Sequence, residues 1–214
     1  MANKPVTPSN ESVSEDQITK FNQNVTARLI KNKAEIPKNI FQLILGDSTL
    51  IDEVFTSIRK RVDAIADMII RTVKVNRNRS AKEALNATGR AQYVNDDVVA
   101  TMPMGAGEEV DMCFFKVSRT ISCNNLQKEY DLRGIESDPI AQMAYNEANP
   151  EFADSQPNAT QWKDANGKWC YAAFFRWGGD ERGVGVDRFD RGFDDGWWFG
   201  GVRKSTSNSE PKVS

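Results

Sequence analysis

The sequence predicts an α+β protein in which an N-terminal helical region precedes an antiparallel β-sheet of four to five strands with short helices packed on one face. Three observations indicate this fold class. Apolar residues recur every three or four positions in the first half, they alternate every second position after residue 158, and all five Trp lie between residues 162 and 198. The first period is typical of helices and the second of strands. A helical region that precedes a run of strands indicates the α+β class.

Helix signals occupy the first half of the chain. Two residue pairs have the spacing of a capping box, namely Ser14 with Gln17 and Ser80 with Glu83. In a capping box, the side chains of a serine and of a residue three positions later accept hydrogen bonds from free backbone N–H groups at the start of a helix. The strongest amphipathic pattern is the apolar stripe within residues 51–69. These signals predict helices over about 15–32, 37–45, 48–69 and 80–88.

Strand signals replace helix signals after Pro103. Asn166-Gly167 is typical of a hairpin turn, and Asp138-Pro139 is typical of a helix start. We therefore predict short helices near 124–133 and 138–148, and strands at 110–117, 160–163, 168–177, 184–189 and 197–203. The predicted organisation is a disordered tail over 1–13, a helical region over 14–102, an α+β domain over 103–204 and a disordered tail over 205–214.

Composition excludes several classes of chemistry. The 214 residues include no His, which rules out Ser-His-Asp or Cys-His catalysis and His-ligated zinc or haem. The three Cys form no CxxC pair, so neither a Cys-only zinc site nor a disulfide framework is expected. A net charge of -2 provides no bulk attraction to nucleic acid or anionic lipid. We expect a cytoplasmic protein without a cofactor, a signal peptide or a membrane segment.

Aromatic residues crowd the carboxyl half, where residues 162–199 hold 11 of the 20 aromatics. Large rings fill the thin core of a small sheet, because each of them buries 150–250 Å². Aromatic faces can also stack on a ligand. If part of the cluster is a ligand surface, the candidate residues are Trp162, Trp169, Tyr171, Trp177, Trp197 and Trp198.

Two charged clusters predict alternative sites. Clustered carboxylates can hold Mg²⁺ or Ca²⁺, although alternating Arg residues favour cross-strand ion pairs. The candidate metal ligands are Asp187, Asp190, Asp194 and Asp195. A basic segment could contact the phosphates of a nucleic acid, or it could be a solvated loop after a helix end. Its residues are Arg71, Lys74, Arg77, Arg79, Lys82 and Arg90.

A series of short motifs in the carboxyl half resembles a known family. The motifs are Tyr130-Asp131-Leu132-Arg133-Gly134, Asn146-Glu147, Phe152-Ala153-Asp154, Trp169-Cys170-Tyr171-Ala172-Ala173-Phe174 and Asp195-Gly196-Trp197-Trp198-Phe199. This combination resembles uncharacterised proteins from uncultivated bacteria with small genomes, and the resemblance covers roughly residues 93–204. It implies a bacterial cytoplasmic setting and assigns no activity, ligand or catalytic residue.

These patterns favour a non-enzymatic binding or interaction protein. Its aromatic sheet is one candidate recognition surface, and the helix over residues 50–70 is another, for a protein partner or for a homodimer. Two alternatives remain open. One is nucleic-acid binding through residues 71–90, and the other is a carboxylate-dependent metal enzyme.

Overall fold

The structure is a computed structural model that describes residues 12–204. These residues form two compact units, 12–66 and 67–204. The boundary thus lies well before the predicted position near residue 103, because two strands at 69–74 and 91–94 belong to the sheet of the second unit. Apart from residues 12 and 13, the predicted disordered tails lie outside the described residues.

The first unit consists of three helices and a short 3₁₀ turn. The helices are α1 (Glu15–Lys31), α2 (Lys38–Ile44) and α3 (Ser48–Ala66), and the 3₁₀ turn spans Lys33–Glu35. The predicted capping box of α1 is confirmed, since the Ser14 hydroxyl accepts a hydrogen bond from the Gln17 amide and the Gln17 side chain accepts one from the Ser14 amide. The third helix ends three residues earlier than predicted, and Ile69 begins a strand instead.

The second unit contains an eight-stranded sheet and five helices. The strands are β1 (Ile69–Lys74), β2 (Ala91–Val94), β3 (Glu109–Lys116), β4 (Ile135–Glu136), β5 (Asn158–Lys163), β6 (Trp169–Arg176), β7 (Arg182–Arg188) and β8 (Trp198–Arg203). The helices are α4 (Ala81–Ala87), α5 (Asp96–Val99), α6 (Cys123–Arg133), α7 (Pro139–Ala148) and α8 (Phe152–Ser155). The strand order is β1-β3-β8-β5-β6-β7-β2, with β4 also paired to β8.

The mixed α+β class and the mostly antiparallel sheet are confirmed, since only β2 with β7 and β5 with β8 pair in parallel. The predicted number of four to five strands is wrong. The missed strands β1, β2 and β4 have six, four and two residues. Strands of two and four residues show too few alternations to be recognised. The six-residue β1 was missed because it continues the apolar stripe of the preceding helix.

Helices cover both faces of the sheet, whereas the sequence predicted one face. Phe114 and Phe115 show the division, because successive side chains of a strand point to opposite faces. The Phe114 ring packs 4.9 Å from Tyr145 of α7, and the Phe115 ring packs 5.4 Å from Tyr130 of α6. The face that carries α7 also carries α4, α5 and α8 around the main apolar core, and we term it the helical face. The opposite face is termed the outer face.

Candidate functional site

Aromatic side chains cover the outer face at the β6–β7–β2 edge of the sheet. Every second residue of the segment that includes β6 points outward, because side chains alternate along a strand. The partner strand β7 places Gly183 and Gly185 opposite Phe175 and Ala173. We define the outer aromatic face by eight residues: Tyr93, Trp169, Tyr171, Phe175, Trp177, Phe189, Phe193 and Trp197.

Two glycines of β7 make room for this face. A Cβ atom on Gly183 would lie 2.3 Å from the Phe175 ring, and one on Gly185 would lie 3.6 Å from the rings of Phe175 and Tyr171. The rings therefore lie against the backbone of β7. Glycine at position 183 is required by this close approach rather than by an unusual backbone angle.

Seven of the eight rings, all except Trp169, form one connected network. The Phe175 ring centroid lies 5.2 Å from Trp177, 6.3 Å from Tyr93 and 6.5 Å from Trp197. Trp197 continues the network to Phe193 at 6.3 Å. The Phe193 ring in turn contacts Phe189 at 5.1 Å and Tyr171 at 6.2 Å. Most of these contacts are tilted or edge-to-face, the arrangements that aromatic pairs prefer.

Exposure increases from the centre of the network to the sheet edge. Phe193 is 5% exposed and lies at the buried centre of the network, whereas Trp177 and Tyr93 are 61% and 54% exposed. The other five members of the face are half-buried. Of the residues 67–204, Tyr93, Met104 and Trp177 are the large apolar side chains that are exposed. Two of these three thus lie side by side on the outer aromatic face.

Carboxylates flank the rings on this face. The Tyr93 hydroxyl donates a hydrogen bond of 2.7 Å to Glu181, and this bond raises the pKa of Tyr93. Burial, and secondarily the charge of Asp187, raises the pKa of Tyr171. The neighbouring arginines are paired with other carboxylates, because Arg182 donates a hydrogen bond to Asp154 and Arg188 donates one to Asp164. Glu181 and Asp187 therefore place two carboxylates beside the outer aromatic face.

A cavity of about 490 Å³ lies at the Trp169 end of the face. It is lined by Gly167, Lys168, Trp169, Arg188, Phe189 and Asp190. The Trp169 indole nitrogen donates a hydrogen bond of 3.1 Å to Asn124, and the Lys163 ammonium lies 4.7 Å from the Trp169 ring centroid. The latter distance is that of a cation–π contact, so this ring already accommodates a cation from its own chain.

The six aromatic residues predicted as a ligand surface are divided between the two faces of the sheet. Trp162 is buried and donates a hydrogen bond to Thr101, and Trp198 packs against the core of the helical face. Trp169, Tyr171, Trp177 and Trp197 lie on the outer aromatic face. The alternation of residues along β6 could have added Phe175 to the predicted ligand surface. No sequence signal indicated that Tyr93, on the missed strand β2, lies beside Phe175.

The predicted metal ligands do not assemble into a metal site. Among residues 12–204, no three Asp, Glu or Cys side chains are grouped so that they could hold an ion. Asp187 accepts hydrogen bonds from Asn95 and from the Arg188 amide. Asp190, Asp194 and Asp195 are exposed on the segment between β7 and β8. The reason is geometric, since neighbours in an irregular segment need not point toward one centre.

The predicted basic patch is also dispersed, because most of its cations have partners within the fold. Arg79 pairs with Glu147 at 2.7 Å and Lys82 pairs with Asp96 at 2.6 Å. Arg77 binds Asp138, and the buried Arg90 donates to the Pro150 carbonyl. Arg71 donates to the Ile70 carbonyl, and Lys74 is exposed.

A cavity of about 810 Å³ lies beside this basic segment. Its charged lining residues are Lys74, Arg77, Arg79, Glu108, Glu109 and Glu147. Three carboxylates oppose three cations, so the lining does not present the one-sided positive charge that phosphate contacts require.

The three cysteines are buried and unpaired. Burial raises the pKa of Cys113 to about 11, and it also raises the pKa of Cys123 and Cys170. A raised pKa disfavours the reactive thiolate at neutral pH. These thiols therefore act as small apolar side chains of the fold.

No helix within residues 12–204 combines the length and the apolar character that crossing a bilayer requires. Comparison of the chain with protein-family models, with curated proteins and with solved structures finds no match. The resemblance of residues 93–204 to uncharacterised bacterial proteins thus stays a prediction. The candidate site of this chain is therefore defined by its own geometry, which is that of a half-open aromatic surface with carboxylates beside its rings.

Proposed function

We propose that this protein is a non-catalytic binding module that recognises a cationic segment of another protein on its outer aromatic face. The observation that carries the proposal is the position of Trp177 and Tyr93. Both rings are more than half exposed, both contact Phe175, and the Tyr93 hydroxyl is held by Glu181. Exposed aromatic rings beside carboxylates favour Lys or Arg side chains, which can stack on a ring and pair with an acid.

The electrostatics support a cationic ligand over a nucleic acid. Asp187 lies on β7, the strand that supports the rings, and Glu181 directly precedes that strand. The nearby Arg182 and Arg188 are engaged by Asp154 and Asp164. A phosphate would meet the Glu181 carboxylate beside Trp177 and Tyr93, the two most exposed rings of the face. The contact between Lys163 and Trp169 within the chain has the same chemistry as the proposed recognition.

A fluorescence titration tests the proposal. The protein is titrated with an oligo-arginine peptide, an oligo-glutamate peptide and a single-stranded oligonucleotide at low and moderate salt. We expect the oligo-arginine peptide to bind and Trp177→Ala to weaken it about tenfold, since truncation of an aromatic anchor removes 1–2 kcal/mol or more. Met104→Ala is the matched control, because Met104 is also partly exposed but lies outside the face.

The same titration separates the alternatives. Binding of the oligonucleotide but not of the oligo-arginine peptide would contradict the proposal and would favour nucleic-acid recognition.

Quenching of Trp fluorescence by small ions tests the charge around the exposed indoles without a ligand. Relative to free N-acetyltryptophanamide, the exposed indoles should keep more of their quenching by caesium than by iodide, because carboxylates attract the cation and repel the anion.

A further inference from the structure

The sheet of the second unit ends at strand β2, which is paired on one side. The strand order closes with β7 and β2, and β2 pairs with β7 in parallel over residues 91–94. Proteins protect an edge strand with charged side chains, proline, a bulge or a short length, because its open backbone groups can bind another chain. Residues 91–94 include neither a charged residue nor a proline, and their register is unbroken. Of these protective features, β2 has its short length.

The backbone of β2 presents two residues to this edge. The Asn95 amide donates a hydrogen bond of 2.8 Å to the Val186 carbonyl of β7, so Tyr93, two residues earlier, also faces β7. Because backbone groups alternate between the two sides of a strand, the N–H and C=O groups of Gln92 and Val94 point away from β7. Among the described residues of the second unit, no other group forms a hydrogen bond with these four groups. An added strand could therefore form four hydrogen bonds here.

This edge lies directly beside the exposed part of the outer aromatic face. Tyr93 belongs to β2 itself, and its ring centroid lies 6.4 Å from that of Trp177. In a strand added to β2, the residue opposite Tyr93 points to the same face as Tyr93. The residues before and after it point to the other face, as Gln92 and Val94 do. Every second side chain of an added strand would thus lie on the side of the aromatic rings.

Charge indicates which side chains fit there. Glu181 accepts its hydrogen bond from the neutral Tyr93 hydroxyl, and within residues 67–204 no cation pairs with it. The nearby Arg176 and Arg182 already have carboxylate partners. A cavity of about 490 Å³ at the start of β2 is lined by both arginines, Asp180 and Glu181. With the arginines paired, the Glu181 carboxylate is the charge left for a ligand, and a Lys or Arg beside Tyr93 can stack on the ring and pair with this acid.

We propose that the cationic segment binds in extended conformation as an additional strand at the open edge of β2, with Lys or Arg at every second position on the outer aromatic face. This inference rests on the proposed function and specifies the backbone conformation and the sequence pattern of its ligand. In strand addition, main-chain hydrogen bonds provide affinity and alternate side chains provide specificity. A second copy of β2 fits less well, because residues 91–94 contain no cation for Glu181.

Peptide chemistry tests the proposal with oligo-arginine as the probe. An oligo-arginine peptide in which every backbone nitrogen is methylated keeps its cationic side chains but has no amide N–H to donate. We expect it to bind at least tenfold more weakly than the unmodified peptide in the fluorescence titration. A peptide that alternates Arg and Thr should bind at least threefold more tightly than one with the same residues in two blocks, since alternation places every Arg on the side of the rings.

Variants of Gln92 test the same edge on the protein. Gln92→Pro removes an N–H that points away from β7 and places a ring at the edge, so the pairing with β7 is kept. It should weaken oligo-arginine binding about tenfold. Gln92→Ala is the matched control, because it keeps the N–H, and it should bind the peptide as the wild type does. Urea unfolding shows whether each variant remains folded.

Amide hydrogen exchange of the wild type provides a direct readout. The Gln92 and Val94 amides should exchange rapidly in the free protein, whereas the Tyr93 amide, which faces β7, should be protected. Saturating oligo-arginine should slow exchange of the Gln92 and Val94 amides at least tenfold.

The outcomes separate this inference from the proposed function. Equal binding of the methylated and unmodified peptides would overturn strand addition, even where Trp177→Ala weakens binding as the proposed function requires. Unchanged exchange of Gln92 and Val94 at saturation would overturn it too. Absence of oligo-arginine binding would contradict the proposed function and this inference together. Self-association that Gln92→Pro abolishes would overturn the inference by showing that a second copy occupies the edge.

Discussion

Arg77 and Asp138 form a two-point ion pair between segments that are 61 residues apart, with distances of 2.9 Å and 2.6 Å between their nitrogen and oxygen atoms. Asp138 is nearly fully buried and also caps α7 by accepting a hydrogen bond from the Ala141 amide. Arg77 further donates to the carbonyls of Met104, Ala106 and Gly107. The pair therefore fastens the loop before β3 to the start of α7.

Removal of this arginine should destabilise the fold strongly. Arg77→Ala leaves the buried Asp138 carboxylate without its partner, and loss of one member of a buried ion pair costs about 3–5 kcal/mol. Urea unfolding measures the change. The exposed Lys74 lies in the same basic segment, and Lys74→Ala should change the free energy of unfolding by less than about 0.5 kcal/mol. Equal effects of the two variants would contradict the structural role of Arg77.

The glycines of β7 provide a matched pair of substitutions. Gly183→Ala places a Cβ atom 2.3 Å from the Phe175 ring, which is held among other rings, whereas Gly185→Ala places it at an ordinary 3.6 Å. We expect Gly183→Ala to lower the free energy of unfolding by about 1–3 kcal/mol, as overpacking does, and to alter the Trp emission spectrum. Gly185→Ala should be close to neutral. The opposite order would show that the rings do not lie against β7 as described.

A buried amide cluster joins α7 to the sheet on the helical face. The Asn158 side-chain oxygen accepts hydrogen bonds from Gln142 at 2.6 Å and from Asn146 at 3.0 Å, and all three residues are fully buried. Asn158→Ala would leave the buried Gln142 side-chain nitrogen without an acceptor and Asn146 with the Gln142 carbonyl alone. It should cost about 2–4 kcal/mol, measured by urea unfolding. Asn166→Ala, on the exposed hairpin turn, serves as the control. A loss below 1 kcal/mol would mean that water replaces the missing oxygen.

Acid should weaken the contact between Asp154 and Arg182. The hydrogen bonds from Arg182, at 2.9 Å and 2.6 Å, hold the pKa of Asp154 below its ordinary value of 3.8. A carboxyl whose pKa is lowered by folding contributes stability above its unfolded pKa, and this contribution is lost as the pH falls through the folded pKa. Wild type should therefore exceed Asp154→Asn in stability at pH 7, and the difference should shrink below pH 3.8. A difference that is constant down to pH 2 would contradict this assignment.

Local signals explain which elements were predictable from the sequence. The capping box at Ser80, the Asp138-Pro139 start of α7 and the Asn166-Gly167 turn each act within a few residues, and each is found in the structure. The long alternation of β6 also belongs to this class, since a period of two is visible without knowledge of any neighbour. These signals were sufficient for the α+β class and for five of the eight strands.

Tertiary structure decided the features that depend on distant partners. Strand β2 exists because Ala91 to Val94 pair with β7, and this pairing brings Tyr93 to Phe175 and Glu181. The basic residues are a patch in the sequence, yet Arg77 and Arg79 lie against carboxylates more than 60 residues away. Charge and aromaticity are read from composition, but whether a side chain meets solvent or a partner depends on how the sheet brings remote segments together.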